Sequence, residues 1–162
     1  MRGLTWGCAG LTALLYGGLS YFSFGPLRRE ANGLLGFDLQ TFGFEAIAGL
    51  DYLTVLSPVG RALYLSTVWP LDTAFIVALT CLFALVTRKM PHRLAIIVAT
   101  LAFAAFDLTE NATVASVMRV PVEVVTPDVI TLIGTFTTLK FLTLTLAVVL
   151  LLAALMRRRF NA

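Results

Sequence analysis

The sequence predicts an all-α polytopic membrane protein: a bundle of four transmembrane helices with an amphipathic helix in the long outer loop. Composition is the first observation behind this. Of 162 residues, 59% are hydrophobic and only 13% charged, with a mean hydropathy of +0.91, far outside the range of soluble domains. The second is length, because a bilayer core of about 30 Å takes about 20 helical residues per crossing, so the chain holds four or five crossings in a single transmembrane domain and no separate soluble domain. The third is the one-sided distribution of basic residues once the apolar runs are laid alternately across a bilayer.

The first span is expected over residues 4–24. It resembles a secretory signal, but no small-residue cleavage site follows, and too little apolar sequence precedes Cys8 for a lipoprotein reading. Gly3 and Gly7, and Ala13 and Gly17, are spaced four apart, a pattern that lets a second helix approach closely. Residues 25–68 form the long outer connection, opened by Gly25-Pro26 and Asn32-Gly33. Within it, residues 42–56 read as an amphipathic helix carrying Glu45 and Asp51 and ending at Ser57-Pro58. It is too charged and too short to cross, so it lies in the interface or packs over the bundle.

The second span is expected over 69–87, with Trp69 at the interface, Pro70 in the first turn and Asp72 just inside. A short basic loop containing Arg88, Lys89, His92 and Arg93 leads to the third span, 94–118. Pro121 and Pro127 turn the chain back into the fourth span, 129–156, which carries one charge, Lys140, and ends in Arg157-Arg158-Arg159. With the amino terminus inside, seven basic residues and no acid lie on the cytoplasmic side. The outer side holds Arg28, Arg29, Arg61 and Arg119 among six acids. This arrangement predicts a bacterial inner-membrane protein with both termini cytoplasmic.

Several chemistries find no footing. The basic residues flank helices and form no stripe that tracks phosphates, so no nucleic-acid partner is expected. Cys8 and Cys81 sit in apolar segments without a CxxC, and His92 is the single histidine, so neither a metal nor any other cofactor is expected. Asn111-Ala112-Thr113 matches a glycosylation sequon, but an acceptor inside a membrane helix is out of reach.

The chemistry-bearing residues gather in the third and fourth spans. Asp107, Glu110 and Asn111 fall at i, i+3 and i+4, hence on one helix face that Thr100 and Phe103 extend and Val114 closes. Counted at 1.5 Å per residue, Asp107 lies roughly 20 Å from the inner boundary and Lys140 roughly 16 Å from the outer one. The two levels differ by some 6 Å, and side chains tilt toward their helix amino termini, which brings these two toward each other. An Asp107–Lys140 ion pair follows. Asp72, near the outer end of its helix, is expected to meet Arg61 or Arg119.

The predicted polar centre is therefore Asp72, Asp107, Glu110, Asn111 and Lys140, open to the outer face. Thr137 and Thr143 share the Lys140 face, although threonines in this helix are expected to bond their own backbone. Arg61 and Tyr64 are candidates to close a pocket from above. Ionisable groups in such a place are costly and ask for a partner or a purpose. Lys140 is expected to neutralise Asp107 and to leave Glu110 as the acid without a partner, the residue suited to proton transfer.

The pattern Gly60-Arg61-Ala62-Leu63-Tyr64, Asp72, Asp107-Leu108-Thr109-Glu110-Asn111 and Thr137-Thr138-Leu139-Lys140 resembles that of a group of uncharacterised small four-helix membrane proteins. The resemblance covers roughly residues 45–145 and implies a fold, not an activity. A looser likeness is to the sterol-isomerase type of membrane fold, which also places acids and amides inside the bilayer. This chain lacks the His and Trp of that site, so no role is carried over.

Three functions fit. One is a lipid-binding or accessory subunit, whose ligand is a membrane lipid or isoprenoid and whose partner is another membrane protein or a second copy. Another is an intramembrane acid–base enzyme acting on a lipid or isoprenoid, with Glu110 as proton donor, Asp107 as partner base and Lys140 tuning both. The last is a proton-coupled carrier, which would need dimerisation because the chain has no internal repeat.

Overall fold

A computed structural model describes residues 2–40, 43–90 and 92–160, without the side chains of residues 38 and 158–160. Every regular element among the described residues is helical. Helix α1, Arg2–Phe22, is followed by α2, Ala46–Val55; α3, Pro58–Thr87; α4, Arg93–Val117; and α5, Pro127–Phe160. Among the described residues, three helices are long and apolar enough to cross a membrane: Pro58–Thr87, Arg93–Val117 and Pro127–Arg157. At about 31 Å, α1 has the length to cross, but its glycines, tyrosines and hydroxyl residues keep it less apolar than those three. The expected four-span bundle therefore reduces to three helices of clear membrane character and one of matching length.

Helix α1 does not stop at Gly25-Pro26. The chain continues through a π-helical turn, Ser23–Leu27, and a further turn, Arg28–Glu30, and ends at Asn32 and Gly33, both with positive φ (51° and 87°). A proline ring clashes with the carbonyl four residues back, and a widened turn makes room for it. The same device recurs in α3. That helix starts at Pro58 instead of Trp69 and runs without a break through a π-helical turn, Tyr64–Val68, just ahead of Pro70. Gly60-Arg61-Ala62-Leu63-Tyr64 is thus part of the helix that carries Asp72.

Ser57 ends one helix and caps the next. Its side-chain oxygen accepts from the Gly60 N–H at 3.0 Å, and its hydroxyl donates to Glu30, so the end of the α1 extension is tied to the start of α3.

Helix α4 packs against both α3 and α5, and α1 packs along α3, giving the row α1, α3, α4, α5. Leu11, Val77, Val98, Leu101, Leu142, Leu146 and Val149 face outward, an apolar belt suited to lipid. The glycine spacing of α1 is not used within the chain, because a Cβ at Gly3, Gly7 or Gly17 would meet nothing within 4 Å.

The start of the amphipathic helix at residue 42 lies outside the described residues. The helix itself covers the bundle end: Tyr52 and Leu53 are buried with Tyr64, Val114, Ile130 and Ile133 in the largest apolar cluster. Gly49 permits this seat, since a Cβ there would lie 2.3 Å from Ile130 Cγ2 and 3.1 Å from Phe37 Cε1. Gly49→Ala is accordingly expected to cost about 1–3 kcal/mol by overpacking, read as a lower unfolding temperature in detergent.

Candidate functional site

Between that capped end and a second apolar cluster around Phe83, Ile96 and Ala147 lies a layer of buried polar side chains. The i, i+3, i+4 spacing turns Asp107, Glu110 and Asn111 of α4 inward together, and none of the three is more than 4% exposed. Lys140 of α5 reaches both acids. Its Nζ stands 2.9 Å from Asp107 Oδ1 and 2.8 Å from Glu110 Oε2. The Thr137 hydroxyl, one turn before Lys140, donates to Glu110 Oε1 at 2.9 Å, with the Ile133 carbonyl at 3.0 Å as its alternative acceptor.

Glu110 is therefore not the acid without a partner. The Lys140 stem ends level with both carboxylates, and an ammonium has donors enough for the two. Each acid gains a charge-assisted contact that offsets its removal from water.

Asn111 joins this group to α3. Its Nδ2 donates to Asp72 Oδ2 at 2.6 Å, and its Oδ1 lies 3.5 Å from the Tyr64 hydroxyl, the outer limit of a hydrogen bond. All five residues expected in the polar centre thus meet in one layer, with Thr137 added.

Arg61 and Arg119 go elsewhere. Arg61 Nη2 donates to the Leu53 carbonyl at 2.8 Å and Nη1 to the Val120 carbonyl at 3.2 Å, with Val117 and Met118 at 3.4 Å. Arg119 lies over the Trp69 ring at 5.0 Å. The reason is helix chemistry: the ends of α2 and α4 present carbonyls that lack partners in their own helices, and a guanidinium at the α3 start spans both. Arg61 caps two helix ends. Tyr64 does sit over Asn111, but as a buried member of the apolar cluster. Thr143 bonds the Leu139 carbonyl of its own helix at 2.8 Å.

Access differs from the expected opening at the end of the bundle. Beyond Asn111 the cluster of Tyr64, Val68 and Val114 is closed, with relative exposures of 2%, 0% and 0%. A cavity of about 340 Å³ reaches the centre from the side instead. Ser20, Ser23 and Phe24 line it from α1 and its extension, and Asp107 and Lys140 line its floor. Phe75, Phe103 and Phe141 supply aromatic wall. The gap exists because α1 packs on α3 and α5 on α4, at opposite ends of the row.

No protein-family model matches this chain, and no curated protein or solved structure shows significant similarity to it. The reading of the site therefore rests on its geometry.

Chemically, the floor offers a ligand oxygen an ammonium and a carboxylate side by side, beneath aromatic walls. Glu110 and Asn111 stand behind this floor, fully buried, and contact it through Lys140 and along their own helix. Sequence reasoning missed the contribution of α1. Tyr16, Ser20 and Ser23 look like ordinary interfacial and helix-packing residues, and nothing local marks them as lining one cavity with Lys140.

Proposed function

We propose that this chain is an integral membrane protein that crosses the bilayer four times, with both termini cytoplasmic, and that it binds a lipid or isoprenoid molecule drawn from the membrane. The observation that carries this reading is the side cavity, with apolar and aromatic walls and an Asp107–Lys140 floor. A ligand entering there would come from the lipid phase and present one polar group to the pair. The length of α1 and its packing along α3 support a fourth crossing.

Native mass spectrometry of lipids retained by the purified protein tests this binding. Glu110→Gln is the informative variant. It keeps the shape of the side chain and an acceptor for Thr137, and it leaves Lys140 paired one to one with Asp107. The retained lipid is expected to be unchanged in kind and nearly so in amount. A wild-type protein that retains no specific lipid would sink the proposal.

Asp107 lining the cavity also favours a second reading, an intramembrane acid–base enzyme in which Asp107 touches the ligand and Glu110 exchanges protons behind it. Here Glu110→Gln would abolish conversion of a lipid in membranes with a normal level of protein, while binding survives.

A further inference from the structure

Phe24 borders a second hollow as well as the cavity. This hollow, about 420 Å³, is also lined by Gly25, Arg28, Arg29 and Asn32. The residues that line the two voids follow each other along the chain: Ser23 and Phe24 line the cavity, Phe24 and Gly25 the hollow, and the two arginines come one turn later. Arg29 folds back toward Gly25, its Nη2 3.9 Å from where a Gly25 Cβ would stand. Arg28 Nε donates to the Gly33 carbonyl at 2.8 Å, which holds that guanidinium in place. Among the described residues no carboxylate lines the hollow, because Glu30 is turned to the Ser57 hydroxyl.

We propose that this hollow is the headgroup end of the cavity, taking the phosphate of a lipid-phase amphiphile that passes Phe24 and sets a second polar group, such as an ester carbonyl, on Asp107 and Lys140. The inference rests on the cavity being a lipid-phase binding site. Two guanidiniums offer planar, forked donors that match phosphate oxygens. They lie about two turns beyond Phe22, the end of a helix that is itself about as long as a bilayer core is thick, which sets them at the level of lipid headgroups. A free anion would use the arginines and leave the apolar cavity without purpose.

The test exposes the full-length protein in detergent to equal amounts of phosphatidic acid and diacylglycerol with identical acyl chains, then compares retention by native mass spectrometry. Wild type is expected to favour phosphatidic acid roughly tenfold. Arg28→Gln combined with Arg29→Gln should bring the ratio near one while diacylglycerol retention stays unchanged, and Arg28→Lys with Arg29→Lys should keep part of the preference. Circular dichroism and gel filtration confirm that both variants fold.

Equal retention of the two lipids by wild type, or a preference that survives the Gln substitutions, would overturn the headgroup assignment but not the cavity reading. Retention of neither lipid would overturn the cavity reading as well. Binding of inorganic phosphate without discrimination between the lipids would mark a bare anion site, against the proposal.

Discussion

Lys140→Met is expected to lower stability by about 3–5 kcal/mol, the largest effect of any single substitution in the polar layer. The substitution leaves Asp107 and Glu110, both buried, without the ammonium that stands 2.9 and 2.8 Å from them. Methionine fills most of the same volume, so the loss reports uncompensated charge and not an empty space. Adding Asp107→Asn and Glu110→Gln to Lys140→Met should restore most of the stability, because neutral amides keep hydrogen-bonding capacity at a far smaller desolvation cost.

The measurement is unfolding in detergent, by heat or by denaturant, for the single and the triple variant. A single variant that unfolds with wild type, or a triple variant as unstable as the single, would show that Lys140 does not hold the layer together. The same Lys140→Met protein should also lose the retained lipid, since half of the cavity floor is gone.

Arg61→Ala comes second, at about 2 kcal/mol, although Arg61 hydrogen-bonds backbone carbonyls and no member of the polar layer. Its guanidinium holds carbonyls at the ends of two helices, Leu53 of α2 and the Val117–Val120 stretch that closes α4. Removing it strips a cation from the negative end of α4 and leaves carbonyls that no intrahelical N–H can reach. Amide hydrogen exchange should quicken near residues 53–56 and 117–120, and the middle of α5 should be unaffected.

Arg61→Lys should recover only part of the loss, because an ammonium is a point charge and cannot fork between two helix ends. Full recovery with lysine would mean that charge alone is needed there, and the capping geometry would lose its support.

These two residues show where sequence reasoning stops. Lys140 was legible. The rise per residue and the tilt of side chains set its height against Asp107, and the structure places a buried Asp/Glu–Lys group there. Arg61 was not legible, because a cap is defined by where two other helices end in space: the α2 end lies only a few residues away, but the α4 end is brought beside it from the far part of the chain. The uninterrupted helix through Pro70 was missed for a related reason. Proline argues for a helix start, and only the widened turn at Tyr64–Val68 lets the helix pass it.

By itself the sequence determined the helical class, the membrane character of the three most apolar helices and the single face shared by Asp107, Glu110 and Asn111. Those follow from composition and from a 3.6-residue period, which are properties of one segment at a time. The tertiary structure decided that Lys140 serves two acids, that Arg61 closes helix ends, and that the way to the polar layer runs past α1 from the side. These depend on which faces meet and what space is left between them. That space is set by the positions of helices far apart in the chain, which no local spacing encodes.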